Sequence, residues 1–267
     1  MNGLIDSHAH LSFPELAGQL PDVWKRAASA GVGTIVTVGT GAADTRRAVE
    51  IARQATSPAV HVAGGCHPHD AAKTTEDDLR RIAALAAEGC LVAWGEMGLD
   101  YHYDFSPRDA QRRAFADQLD RAAGAGLPGI IHSREAIDDT LAILDESGGE
   151  WAGRLVFHCF TGTADEARRV LDRGYLIGLT GVVTFRNAAA LRETARLVPD
   201  DRLLIETDSP YMSPEPVRKQ RPNEPALLVH TVRCLAGLRG ASYESLAAAT
   251  SATARRLFGL DKAPSGP

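Results

Sequence analysis

The chain contains no apolar run approaching the roughly 20 residues that cross a bilayer, so no segment reads as a membrane span. It contains no C-x-x-C pair either: Cys66, Cys90, Cys159 and Cys234 stand far apart. No secretory leader is legible, because Asp6, His8 and His10 interrupt any hydrophobic segment and no basic stretch precedes them. The cysteines are therefore expected to be reduced thiols, and the expected compartment is the cytoplasm. There is no excess of positive charge. The 29 Lys and Arg against 34 Asp and Glu leave a net charge of −5, which excludes a protein that coats nucleic acid by bulk electrostatics. An enzyme engaging one strand end at a local positive site stays open. Repeats of 20–50 residues, low-complexity linkers and a Gly-rich loop after the first strand are also missing.

What the chain does have is a regular alternation. Apolar runs near 4–7, 34–38, 60–64, 91–95, 129–132, 154–158, 175–179 and 203–206 read as strands. Between and after them, helical patterns cover 16–30, 42–54, 75–88, 107–125, 136–147, 164–173, 187–197, 225–238 and 243–258. Thr74-Thr75 ahead of Glu76-Asp77-Asp78 marks a helix start, and Ser106-Pro107 puts Pro at a first helical position. Gly31, Gly89, Gly126 and Gly174 stand where helices end. Eight strand–helix units predict an α/β fold, a TIM (β/α)8 barrel with its site at the C-terminal ends of the strands. One domain is expected over 1–262, with a disordered tail at 263–267.

Metal-ligand residues fall at those strand ends. Strand one runs into His8-Ala9-His10, whose alternate residues share a face. Strands four, five and six end in Glu96, His132 and His158, and strand eight runs through Glu206 to Asp208. Four imidazoles and two carboxylates exceed what one open catalytic ion needs and suit two divalent ions. Glu96 is the expected bridge, since both its oxygens can bind. His8, His10 and Asp208 are then expected on one ion, and His132 with His158 on the other. Asp208 is the expected general base, and Glu206 either supports a ligand or is simply buried by hydrogen bonds. Imidazole-rich ligation favours Zn or Mn over Mg.

The segments Asp6-Ser7-His8-Ala9-His10-Leu11, Gly65-Cys66-His67-Pro68, Gly95-Glu96-Met97-Gly98-Leu99-Asp100-Tyr101, His132-Ser133-Arg134, His158-Cys159-Phe160-Thr161-Gly162, Glu206-Thr207-Asp208-Ser209-Pro210-Tyr211 and Asn223-Glu224-Pro225 are similar to the TatD family of metal-dependent hydrolases, within the amidohydrolase superfamily. Gly181 to Asn187 is closest to its YcfH-like branch. The resemblance implies a two-metal phosphodiesterase, typically a deoxyribonuclease and in some members a 3′-to-5′ exonuclease; in some relatives it implies D-aminoacyl-tRNA deacylation. It carries the ligand roles to His8, His10, Glu96, His132, His158 and Asp208, favours a phosphate contact for His67, and adds Mg to Zn and Mn as expected ions. The chain departs from the family at 217–225, where Val217-Arg218-Lys219-Gln220-Arg221-Pro222 replaces a His-Arg-Gly-Lys stretch.

Arg134, two residues past His132, is placed to clamp a phosphate, and Arg186 with Arg218, Lys219 and Arg221 forms a local basic cluster. Tyr101 and Tyr211 either stack on bases or pack in their loops. His69 is expected in solvent, and Cys66 and Cys159 between barrel and helices. The expected partner is nucleic acid at a DNA 3′ end, with a tRNA 3′ end as the alternative, and no obligate protein partner. Two rivals remain at this point. One is an ester hydrolase on the same scaffold; its lysine-bridged subtypes are disfavoured because Lys25, Lys73, Lys219 and Lys262 avoid the apolar strands. The other is a non-catalytic metal-binding scaffold.

Overall fold

The structure is a computed structural model that describes residues 3–261; the tail expected at 263–267 lies outside them. Eight parallel strands form one sheet in sequence order: β1 (Leu4–Ala9), β2 (Val32–Gly39), β3 (Ala59–Gly64), β4 (Ala93–Asp100), β5 (Gly129–Arg134), β6 (Leu155–Phe157), β7 (Leu176–Leu179) and β8 (Leu203–Ile205). The segment after β8 returns to β1. Asp208 N–H donates to the His8 carbonyl at 2.9 Å and His10 N–H to the Ser209 carbonyl at 2.7 Å. These bonds close a TIM barrel, so no strand edge is left free on the side that carries the histidines.

The helices are α1 (Pro14–Ala17), α2 (Leu20–Ser29), α3 (Ala42–Gln54), α4 (Glu76–Ala87), α5 (Arg108–Gly124), α6 (Ile137–Glu146), α7 (Ala164–Asp172), α8 (Ala189–Leu197), α9 (Leu228–Arg239) and α10 (Tyr243–Phe258). Thr75 and Asp78 form a reciprocal capping box at the start of α4, and Gly31, Gly89, Gly126 and Gly174 all adopt positive φ after their helices. Two boundaries differ from expectation. The helix expected over 16–30 is broken into α1 and α2, because Pro21 has no N–H for the preceding turn and fits only a first turn. Pro107 precedes the first helical residue, Arg108, instead of being it.

Two apolar layers hold the barrel. One lies between the strands and the surrounding helices, with Trp94, Phe115, Leu119 and Phe157 wholly buried in it. The other fills the barrel interior with Ile5, Val36, Ile130, Val156 and Leu204, and is plugged by Ala254, Leu257 and Phe258 of α10. That plug sits at the N-terminal end, where Thr253 donates to the Asp200 carbonyl just ahead of β8. The C-terminal end is left for polar residues. No helix of the described residues is long and apolar enough to cross a membrane.

Candidate metal centre

On β5, β6 and β8 the inward row continues at period two from an apolar to a polar residue of the site: Ile130 to His132, Val156 to His158, Leu204 to Glu206. On β1 and β4 the same period from Ile5 and Ala93 would miss His8, His10 and Glu96. Register irregularities between Asp6 and Ala9 and between Trp94 and Met97 change the facing by one residue. The expected strand 91–95 is correspondingly displaced to 93–100, because Met97 to Asp100 pair with Ile131 to Arg134. Glu96 thus lies inside β4, and Asp100 ends it.

The six predicted ligands meet at the barrel mouth. Glu96 stands at the centre with its two oxygens turned to different partners. Its Oε1 is 2.6 Å from both His132 Nδ1 and His158 Nε2, while its Oε2 is 3.5 Å from His8 Nε2 and 3.8 Å from His10 Nε2. Asp208 Oδ1 lies 3.4 Å from His10 Nε2 and 3.7 Å from His8 Nε2. The two halves adjoin through the His8 and His158 rings, stacked 4.0 Å apart.

This donor set fits cations on three observations. His8 Nε2 faces His10 Nε2 at 3.2 Å, and His132 Nδ1 faces His158 Nε2 at 3.3 Å. Two imidazole lone pairs so close repel unless a proton or a metal ion lies between them. The tautomers are also set from behind. His10 Nδ1 bonds the Val38 carbonyl at 3.0 Å and His132 Nε2 bonds Asp100 at 3.0 Å, which leaves His10 Nε2 and His132 Nδ1 as lone pairs turned inward. Finally, Nδ1 of His8 and of His158 are buried without a hydrogen-bond partner. Burial opposes charge throughout, yet Glu96 outweighs it at His158, whose imidazolium persists well above the ordinary value, and Asp100 and Glu96 do the same more weakly at His132. Burial likewise opposes the charge of Glu96, but His158, His67 and His132 hold its carboxyl well below the usual range. Protons occupy the room that cations would take.

The surrounding residues divide. His67 Nε2 lies 3.3 Å from Glu96 Oε1, close enough to group with Glu96 and His132 as a possible ligand. Its Nδ1, however, accepts the His69 N–H at 3.1 Å, and burial lowers its pKa to about 4. The neutral ring therefore carries its proton on Nε2 and points a donor inward. His69 is not in solvent as expected: its Nε2 bonds Asp100 at 2.9 Å. Sequence reasoning missed Asp100. It is fully buried and binds both His132 and His69, a role set by the β4–β5 register; its place in Gly-Leu-Asp-Tyr after Glu96 was the available signal. Glu206 accepts from Ser7 Oγ at 2.9 Å and from Cys159 N–H at 2.6 Å, with His158 Nδ1 3.7 Å away. Its carboxylate rests on Gly178, where a Cβ would come within 2.8 Å of either oxygen. Cys66 packs in the strand–helix layer as expected. Cys159 does not: it turns up at the rim with positive φ, its Sγ 3.7 Å from Thr180 Oγ1.

Arg134 ends β5, exposed, with its Cζ 4.7 Å over the Tyr103 ring. Arg186 is exposed after β7 and makes no ion pair among the described residues. The basic cluster is not one unit, because Arg218 lies over Phe185 and Arg221 folds onto the carbonyls of its own loop. That loop is pinned where Asn223 donates to the Thr207 carbonyl at 3.0 Å and Glu224 takes a fork from Arg26. Tyr101 takes the packing alternative, donating to Asp139 at 2.6 Å, whereas Tyr211 is 49% exposed.

A family model described as TatD related DNase matches residues 5–259. The chain belongs to the TatD family. It is accordingly a metal-dependent hydrolase of ester bonds. Within the family it is 40% identical over 258 residues to the metal-dependent hydrolase YabD of Bacillus subtilis, covering 97% of this chain and 100% of that protein. It is 39% identical to the 3′-5′ ssDNA/RNA exonuclease TatD of Citrobacter rodentium, covering 96% of this chain and 98% of that one. The crystal structure of the TatD homologue YjjV from Escherichia coli superposes with a TM-score of 0.89 at 30% identity, over 96% of this chain and 98% of that one.

Proposed function

We propose that this TatD-family protein is a two-metal phosphodiesterase that removes nucleotides from the 3′ end of single-stranded nucleic acid, with DNA as the first substrate to test. The observation that carries the reading is Glu96, one buried carboxylate shared between two imidazole pairs, Oε2 with His8 and His10, Oε1 with His132 and His158. The exonuclease among its relatives supports the choice of substrate.

Divalent ions held by His8, His10 and Asp208 on one side and by His132 and His158 on the other, with Glu96 between, would polarise a phosphate oxygen and make water a nucleophile near neutral pH. The chain's own residues do the rest. Asp208, whose charge survives burial because His10, His8 and His158 surround it, accepts the proton of the attacking water through Oδ1 and returns it to the leaving 3′ oxygen. His67 offers its Nε2 proton to a phosphate oxygen. Arg134 supplies a forked donor to the same or the neighbouring phosphate. Arg186 extends the positive rim after β7, a side of the barrel that often meets phosphate. Glu206, fixed by Ser7 and Cys159, keeps His158 from turning outward.

The test is incubation of the pure protein with Mn2+ or Mg2+ and single-stranded DNA labelled at either end. Release of the 3′ label as mononucleotide, ahead of any shortening seen from the 5′ label, is expected. No nucleotide release with any divalent ion, together with ester cleavage on an aminoacyl-tRNA, overturns the nuclease reading and assigns the centre to a carboxylic ester.

A further inference from the structure

Between β4 and α5 the loop Tyr101–Ser106 raises two aromatic rings into solvent. Tyr103 is 47% and Phe105 67% exposed, two of the four strongly exposed large hydrophobics among the described residues. Their rings are stacked, with centroids 5.1 Å apart and planes 12° from parallel. An exposed aromatic pair gains little from folding, since the rings stay largely in water. Yet buried polar groups hold this loop from both ends. The Asp100 carboxylate accepts the N–H of His102 and Tyr103 at 3.1 and 2.9 Å. Gln111, wholly buried, bonds the Asp100 N–H and carbonyl and the Ser106 carbonyl at 2.7, 3.0 and 2.9 Å. Ser106 Oγ in turn donates to the His69 carbonyl at 2.8 Å. The rings are thus presented on a rigid support.

The support is continuous with the metal centre. His69 sets its edge against both rings, centroids 5.5 Å from Tyr103 and 4.8 Å from Phe105, and binds the same Asp100 carboxylate that holds His132. Arg134 stands 4.7 Å from the Tyr103 centroid with no ion pair among the described residues. The acids nearest in sequence are engaged elsewhere, Asp104 with Arg108 and Glu135 with His102. Phe105 and Arg134 already lie against the Tyr103 ring, so Phe105 is the ring left open. An exposed aromatic ring backed by Tyr103 and its guanidinium, one imidazole away from a proposed ligand histidine, matches one chemistry: a flat heteroaromatic ring joined to a phosphate.

We propose that Tyr103 and Phe105 are the seat of an unpaired nucleobase, with Arg134 on the phosphate attached to it. This rests on the nucleic-acid reading above and adds to it the reason for single strands, because a base stacked in a duplex cannot reach the platform. Stacking on aromatic side chains is tolerant of sequence, so the platform selects strand state and leaves base identity free.

The test uses the metal-loaded enzyme, wild type and Tyr103→Ala/Phe105→Ala, on single-stranded oligonucleotides carrying one abasic sugar at each of the three 3′-terminal positions in turn. At one position the wild type is expected to prefer the base-bearing strand by roughly 5- to 150-fold, read mainly in KM, and the double variant to show a ratio near one. A single-ring variant, Phe105→Leu, keeps the fold and is expected to fall between. A wild-type ratio near one at all three positions, or a ratio unchanged in the variants, overturns the platform while leaving the nuclease assignment standing. Loss of self-association in the double variant with an unchanged ratio also overturns it, giving the rings to an interface between copies. No cleavage of any strand by the wild type overturns both readings together.

Discussion

His132 Nε2 and Asp100 Oδ2 lie 3.0 Å apart, while the central carboxylate, Glu96, meets the same ring at Nδ1. The bond fixes which nitrogen of His132 faces the candidate metal centre, so in the proposed arrangement a residue outside the ligand set decides whether His132 is available as a ligand. Burial disfavours the charge on Asp100, but His132 and His69 outweigh it and keep the carboxylate ionised far into acid.

Asp100→Asn is expected to weaken ion binding on the His132–His158 side by about 10- to 100-fold, because an amide keeps one acceptor oxygen where Asp100 uses two, Oδ2 for His132 and His69 and Oδ1 for the N–H of His102 and Tyr103. Metal titration followed by calorimetry checks it. Unchanged affinity for both ions would separate Asp100 from the metal centre.

Thermal melting against pH should change sign with metal. In the metal-free protein His10, His132 and His158 have pKa values above 6.5, so the folded state binds more protons than the unfolded one and the stability they contribute is lost as pH rises above 6.5. Asp6, pushed up to about 7 by burial, acts in the same direction up to that pH. His8 and His67, both lowered, act in the opposite direction, but most of that effect lies below pH 6.5, where the imidazoles of the unfolded chain are protonated. The melting temperature in chelator should therefore fall from pH 6.5 to 8. With saturating Mn2+ or Zn2+ it should rise, because cations compete with those protons. Parallel curves with and without metal would count against imidazole ligation.

Gly178→Ala is expected to cost about 1–3 kcal/mol, since the new methyl meets a carboxylate that Ser7 and the Cys159 N–H hold in place. Urea unfolding of the metal-free protein measures it. A neutral result would mean that Glu206 is free to move and does not position His158.

Arg134→Ala should lower kcat/KM on single-stranded DNA by about 10- to 150-fold, the worth of hydrogen bonds to a charged group, and Arg134→Lys should recover only part because it lacks the planar fork. Arg186→Ala, on an exposed loop with no fixed partner, should cost less. Equal losses for the two arginines in steady-state kinetics would point to a diffuse field at the rim in place of a clamp.

How much of this was readable beforehand varies by residue. His8, His10, His132, His158 and Asp208 each follow an apolar run, so the barrel reading alone placed them at one mouth. The two oxygens of Glu96 suggest its division between two imidazole pairs, but its inward aim depends on a register irregularity that periodicity cannot show. The pairing of His69 with Asp100 is not legible in the sequence, because it depends on where the turn after His67 lies beside the end of β4. Among the aromatics the sequence singles out Tyr101 and Tyr211. Tyr101 is occupied by Asp139, and the open rings are Tyr103 and Phe105, a difference of exposure that composition does not encode.

In the two-metal reading Glu96 stands between two cations. Anomalous diffraction from crystals loaded with Mn2+ or Zn2+ tests it most directly. Two peaks about 3.5–4 Å apart are expected on either side of the Glu96 carboxylate, one against His8, His10 and Asp208 and the other against His132 and His158. A single peak at saturating metal, with one imidazole pair still hydrogen-bonded to Glu96 alone, would contradict it.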